Sequence, residues 1–176
     1  MRRTAILVGL LVVLGGGLVV WAAPTGKVKI DTPGMVLEVE MYGQKVALPP
    51  LREVPVAAGT LETKGIKLHA QGRDMKNRPA IWRLDGTAPF GDLKEIQITA
   101  GEVKAIEGGA PLTVKTPFSV STKGGKQVIV GLNFIGKAKE YYRTVVYMGR
   151  NRAPAPKIAF VSEDGKILDS GNFEYG

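Results

Sequence analysis

Most of the chain after Pro24 alternates apolar and polar residues with a period of two. The pattern is clear in residues 27–31, 37–41 and 66–70, and it recurs in 112–121. Successive side chains of a strand point to opposite faces, so this period predicts half-buried β-strands. No segment after Pro24 sustains an apolar repeat of 3.6 residues over three turns, as an amphipathic helix would. The sequence therefore predicts an all-β body.

Turn residues separate the predicted strands at short intervals. The strongest hairpin signal is Asp164-Gly165, because this pair tolerates the positive φ angles of a tight turn, and it should join 157–161 to 166–168. The apolar run 128–135 predicts a central strand that is covered on both faces. About 11 or 12 short strands at this spacing predict an immunoglobulin-like or prealbumin-like β-sandwich.

The chain after Ala23 divides most simply into two small sandwich modules, 24–110 and 111–176. A Val-Lys pair at Val28 and a later Gly-containing turn recur in outline at Val114 and beyond. Glycine and proline in the segment 108–111 mark a plausible joint, since both residues end strands. One continuous sandwich is the alternative. Residues 1–23 stand apart from both modules.

The amino-terminal segment 4–23 contains no charged residue and follows Arg2 and Arg3. A helix of this length rises about 30 Å, the hydrocarbon thickness of a bilayer, and the two arginines favour translocation of everything that follows. Two outcomes stay open. Small residues before Ala23 suit removal as a signal peptide, whereas Trp21 suits an interfacial residue of a retained membrane anchor. In both cases the body lies outside the cytoplasm, as a secreted, periplasmic or anchored protein.

Composition removes several classes of chemistry. The chain has no cysteine and one histidine, so disulfides, cysteine-bound metals and any two-histidine metal site within one chain are excluded. There is no phosphate-binding loop or dinucleotide fingerprint, and we expect no cofactor. Strand alternation places His69 on the face opposite Ile66 and Leu68, which predicts a solvated histidine and not a catalytic one.

The most informative segment for function is 137–152, where five basic residues are interleaved with three tyrosines. Arginine forks bind carboxylate, sulfate or phosphate through paired hydrogen bonds, and tyrosine offers a flat face with a polar tip. The segment would suit an anionic polysaccharide, a cell-wall polymer or a lipid headgroup; nucleic acid is not expected outside the cell. The alternative is a basic loop that keeps the protein soluble, with tyrosines packed beneath it. The candidate binding residues are Lys137, Lys139, Tyr141, Tyr142, Arg143, Tyr147, Arg150 and Arg152.

Two further functions follow from other features. A carboxylate-based hydrolase of envelope polysaccharide would need acids that meet in a cleft, one of them with a raised pKa. Glu38 and Glu40 share a strand face, although a charged, solvated strand explains them equally. An accessory subunit of an envelope assembly would be recruited through exposed strand edges.

Two stretches, 52–60 and 95–102, carry Ala-Gly turns next to strands. They resemble bacterial exported β-sandwich modules of the carboxypeptidase-regulatory and PEGA kinds. The closing segment 158–176 is similar to the ends of uncharacterised exported bacterial proteins. The resemblance implies a β-sandwich with a structural, adhesive or binding role and no catalytic residues.

Overall fold

The computed structural model describes residues 23–122 and 127–174, and in these ranges the chain folds as β-strands joined by turns. The all-β prediction is confirmed. The helical element among the described residues is one 3-10 turn, Gly91–Leu93. No helix in the described part is long and apolar enough to cross a membrane. The predicted amino-terminal helix, 4–23, lies outside the described residues except for Ala23.

The described residues form sixteen strands, most of them short. In chain order they are β1 (Thr25–Ile30), β2 (Met35–Met41), β3 (Gln44–Leu48), β4 (Glu53–Ala57), β5 (Gly59–Arg73), β6 (Pro79–Thr87), β7 (Glu95–Ile98), β8 (Val103–Ile106), β9 (Thr113–Lys115), β10 (Phe118–Ser121), β11 (Gln127–Val130), β12 (Asn133–Ile135), β13 (Tyr141–Met148), β14 (Asn151–Arg152), β15 (Lys157–Val161) and β16 (Ile167–Asn172).

One large sheet organises the molecule. Its main path runs β3-β2-β5-β6-β13-β12-β9, with β14 paired to β13 and β7 paired to the start of β5. A three-stranded sheet, β4-β1-β8, pairs β1 antiparallel to β4 and parallel to β8. The remaining strands form two separate two-stranded sheets, β10-β11 and β15-β16.

The core lies between the three-stranded sheet and the inner face of the large sheet. Val28 and Ile30 of β1 are buried together with Met35, Leu37 and Val39 of β2. These residues occupy alternate positions, so each strand buries one face and exposes the other. The arrangement is β-sandwich-like, and the period-two pattern predicted these strands correctly.

Two sequence predictions about individual strands have opposite outcomes. The Asp164-Gly165 hairpin is confirmed, since β15 pairs with β16 around a turn in which Gly165 has a φ of +85°. The prediction of one covered central strand over 128–135 is wrong. That run is divided between β11 and β12, and Val128 and Ile129 are exposed. The physical reason is that β11 pairs with β10 in a separate two-stranded sheet and does not belong to the large sheet whose inner face forms the core.

The predicted boundary between residues 110 and 111 stays a prediction. Strands on its two sides belong to the same sheet, because β13 pairs with β6. Gly108 and Gly109 of the predicted joint are buried, and Gly108 lies against Met35 of the core.

Replacing Leu37 with alanine should reduce the free energy of unfolding by about 2–5 kcal/mol, because Leu37 is fully buried and its removal leaves a cavity. The matched control is Leu168→Ala, since Leu168 is 67% exposed in β16 and its replacement should change stability by less than about 0.5 kcal/mol. Urea denaturation of both variants measures the difference. Equal losses would contradict the placement of the core.

Candidate functional site

The segment 137–152 does not form one continuous patch. Lys137 and Lys139 lie in the turn between β12 and β13, whereas Arg150 lies in the turn between β13 and β14. The other five candidates lie on β13 or β14 at different depths. They are Tyr141 (half-buried), Tyr142 (buried), Arg143 (exposed), Tyr147 (half-buried) and Arg152 (exposed).

The two lysines of the first turn are paired with acids. The Nζ atom of Lys139 lies 3.2 Å from a carboxylate oxygen of Asp92, and that of Lys137 lies 3.8 Å from Glu107. The backbone N–H of Asp92 also donates to the carbonyl oxygen of Ala138 at 2.8 Å. Exposed pairs of this kind contribute at most about 1 kcal/mol each. Their main effect is to neutralise part of the positive charge predicted for this turn.

Tyr142 belongs to a buried polar cluster that the sequence did not indicate. Its hydroxyl donates to Oε1 of Glu140 at 2.9 Å, and the backbone N–H of Gly109 donates to the same oxygen. Glu140 is fully buried, and its Oε2 has no hydrogen-bond partner in the part of the chain that the structure describes. Burial, with the Glu140 charge and hydrogen bond, raises the pKa of the Tyr142 hydroxyl well above its ordinary value.

The cluster holds two loops together. Glu140 directly precedes β13, and Gly109 lies in the connection between β8 and β9. A Cβ atom at Gly136 would overlap the Glu140 carboxylate, so a larger residue there would require the Glu140 side chain to shift. The arrangement explains the lone acid within an otherwise basic segment: Glu140 is a structural acceptor at the base of β13.

The outer face of the large sheet carries a row of four residues in direct register. His69 of β5 lies opposite Arg83 of β6, Arg83 lies opposite Tyr147 of β13, and Tyr147 lies opposite Arg152 of β14. Directly opposed residues of antiparallel strands share a face and stand side by side. We refer to His69, Arg83, Tyr147 and Arg152 as the basic row.

Contacts hold Arg83 and Tyr147 at the centre of the basic row, whereas Arg152 at its end has no ion-pair partner among the described residues. The guanidinium carbon of Arg83 lies 4.4 Å from the centre of the Tyr147 ring, within cation–π range. Nε of Arg83 also lies 3.0 Å from Oδ1 of Asp85, which holds the guanidinium in place. Arg152 is exposed, and no ion pair occupies it among the described residues. Arg83 is therefore held by its neighbours and paired with an acid, whereas Arg152 is the exposed, unpaired cation of the row among the described residues.

Two other candidate cations lie within a few residues of Tyr147 or Arg152 in the sequence. Arg143, on β13, and Arg150, in the turn before Arg152, are exposed. Neither forms an ion pair with another described residue. These arginines therefore remain available to an external anion, unlike Lys137 and Lys139.

A second feature is a groove of about 570 Å³ whose lining includes three carboxylates, Asp92, Glu95 and Glu107. Each is more than half exposed, and each lies within 4 Å of a lysine Nζ atom. A catalytic carboxylic acid needs burial that raises its pKa, and an exposed carboxylate beside a cation lacks that environment. In the described ranges, no group of three metal-ligating side chains is placed to hold an ion.

Glu38 and Glu40, the other acids considered for catalysis, are also paired. Glu38 accepts from Lys67 on the adjacent strand, and Glu40 lies 3.1 Å from Lys64. Their strand, β2, lies between β3 and β5 and is not a sheet edge. Both residues are thus part of cross-strand charge pairing on the outer face.

Comparison with known proteins found no match. No protein-family model, no curated protein and no solved structure is significantly similar to this chain.

Sequence reasoning identified half of the basic row. Tyr147 and Arg152 were among the predicted binding residues, and the outward direction of His69 followed from strand alternation. Arg83 and the meeting of all four residues were missed, because register between distant strands is not written in local periodicity.

Tyr142→Phe should lower the free energy of unfolding by about 1–3 kcal/mol near neutral pH, because it removes a donor to a buried carboxylate. The unsubstituted protein should then lose stability as the pH rises above about 10, since the unfolded chain releases the Tyr142 proton that the folded chain retains. The variant lacks this proton, so the stability gap should narrow with rising pH.

Urea denaturation measures the difference in stability between the two proteins from about pH 8 to pH 11. This pH range brackets the ordinary tyrosine pKa. Tyr141→Phe is the matched control, because the half-buried Tyr141 hydroxyl has no hydrogen-bond partner among the described residues. A gap that stays constant with pH would contradict the assignment.

Proposed function

We propose that this protein is a non-catalytic, exported β-sandwich protein that binds an anionic polymer, an acidic polysaccharide or a cell-wall polymer, at the cell envelope. The basic row is the single observation that carries the proposal. Arg83 and Arg152 flank the Tyr147 ring on one sheet face, with His69 completing the row. Arg143 and Arg150 add unpaired positive charge nearby in the chain.

The spacing of the basic row suits an extended ligand. Adjacent strands lie about 4.8 Å apart, so four strands place the first and last residues of the row about 14 Å apart. A polymer with carboxylate or sulfate groups on successive units would meet more than one cation over that span. Arginine can hold such groups with two parallel hydrogen bonds, which lysine cannot do.

The rigid position of Arg83 favours binding over mere solubility. Its guanidinium is held by the Tyr147 ring and by the Asp85 carboxylate, so little side-chain entropy remains to be lost when an anion binds, while Asp85 offsets part of its charge. A cation that served only to raise net charge would need neither contact. Net charge of +8 then adds long-range attraction for an anionic surface.

The same proposal includes the finer fold and the compartment. We infer an immunoglobulin-like or prealbumin-like topology, in keeping with the resemblance to carboxypeptidase-regulatory and PEGA modules. The uncharged segment 4–23 supports export with either cleavage or anchoring. The hydrolase alternative has weaker support, since the acids of the groove are exposed and paired with lysine.

Replacing Arg143, Arg150 and Arg152 with alanine should weaken binding to immobilised dextran sulfate by at least about tenfold, equivalent to about 1.4 kcal/mol. The control triple is Lys45→Ala, Arg52→Ala and Lys104→Ala, which removes the same charge from exposed residues elsewhere. The control should lose less than about threefold, and both melting temperatures should stay within about 3 °C of the parent.

Binding isotherms over a series of salt concentrations measure these losses. If the two triples weakened binding equally, net charge alone would explain adsorption, and Arg143, Arg150 and the basic-row residue Arg152 would have no special role.

Export has its own test, which is the mass of the protein recovered from fractionated cells. A chain that begins at Ala23 in a soluble extracytoplasmic fraction, or an intact chain in membranes, would each agree with the proposal. The intact polypeptide folded in the cytosol would contradict it.

A further inference from the structure

The hairpin β10-β11 exposes an apolar face that the basic row does not use. Phe118 lies opposite Val130, and Val120 lies opposite Val128, so these four side chains share one face. Phe118 is 73% exposed and Val120 is 60% exposed. Ser119 and Ser121 lie on the other face, together with Ile129, which is opposite Ser119 and 59% exposed. The face formed by Phe118 and the three valines is therefore entirely apolar and turned to solvent.

An isolated two-stranded sheet is marginally stable in water, and an exposed apolar patch marks a surface that meets another molecule. Both conditions hold here, because β10 and β11 pair with no other described strand. Covering Phe118 and the three valines would remove several large apolar side chains from water. Burial of these side chains against another surface would therefore be energetically favourable.

Charge indicates what it docks on. From Thr113 to Gly136 the sequence contains three lysines, Lys115, Lys123 and Lys126, and no acidic residue. The hairpin β15-β16 exposes comparable apolar residues, Ile167 and Leu168, but the stretch 157–172 contains three acids and two lysines. A basic apolar surface complements an anionic lipid bilayer, where lysines are attracted to the negative headgroups and apolar side chains enter the interface.

We propose that the apolar face of β10-β11, formed by Phe118, Val120, Val128 and Val130, docks on the surface of an anionic lipid bilayer. Apolar side chains supply burial, and the lysine-rich, acid-free sequence around them supplies selectivity for negative headgroups. This surface is distinct from the basic row, so the two can be tested separately.

The absence of cysteine makes a local probe simple to place. Val120→Cys, labelled with the environment-sensitive fluorophore NBD, reports on the hairpin, and Leu168→Cys, labelled identically, reports on the acidic hairpin. Each full chain is prepared from an export-competent bacterial host and mixed with phosphatidylglycerol or phosphatidylcholine vesicles. Because segment 4–23 is treated identically in every sample, the emission reports only the position of each label.

The expected result is a blue shift at position 120, quenched by doxyl-labelled lipid, with phosphatidylglycerol vesicles and not with phosphatidylcholine vesicles. Position 168 should not shift. Adding Phe118→Ser to the Val120→Cys chain should weaken the response at least about fivefold, since an exposed phenylalanine contributes most when it enters a bilayer interface. Adding Leu168→Ser should change it less than about twofold, and circular dichroism checks that both variants fold.

Three results would overturn the proposal: no shift at position 120, an equal shift at position 168, or an equal shift with neutral vesicles. A shift at position 120 that needs no lipid and grows with protein concentration would also overturn it, because a second copy of the chain would then cover the hairpin. Binding of the same labelled chain to dextran sulfate is measured in parallel. Its persistence would show that failure of bilayer docking leaves the proposed polymer binding intact.

Discussion

Burial of one face of the large sheet is the constraint on which the rest of the structure depends. When the inner residues of a strand are packed in a core, a shift of one residue would turn its whole apolar set to solvent, so the register is fixed. Leu68 and Leu84 pack with the core on β5 and β6. Their neighbours His69 and Arg83 must then point outward at the same level. Packing of the inner face therefore determines which residues stand side by side on the outer face.

The buried Glu140 shows a different kind of constraint. A carboxylate without water needs donors, and here the Tyr142 hydroxyl and the Gly109 amide supply them. The contact joins two connections that are 31 residues apart in the chain. It places the start of β13, and β13 carries Tyr147 at the centre of the basic row. The position of the basic row on the outer face therefore depends partly on a polar contact inside the protein.

Local periodicity predicted the strands well and their neighbours poorly. The alternation around Leu37 and Ile66 identified strands with one buried face, because a half-buried strand leaves that pattern in any sheet. The same alternation around Phe118 and Val120 also gave a strand, but its apolar face is exposed in the part of the chain that the structure describes. Whether a face is covered depends on chain segments far away in sequence, and a period of two contains no such information. The pairing of Lys137 and Lys139 with acids was hidden for the same reason.

Because buried strand faces are unevenly distributed, the parts of the molecule differ in how cooperatively they unfold. Strands β1 to β8 contribute most of the buried side chains, whereas the two-stranded sheets β10-β11 and β15-β16 are largely exposed. Amide protons in those two hairpins can exchange through local opening, without unfolding of the central sandwich. The two hairpins can thus open while the central sandwich stays folded. Their surface residues can therefore change through evolution at small cost to the stability of the fold.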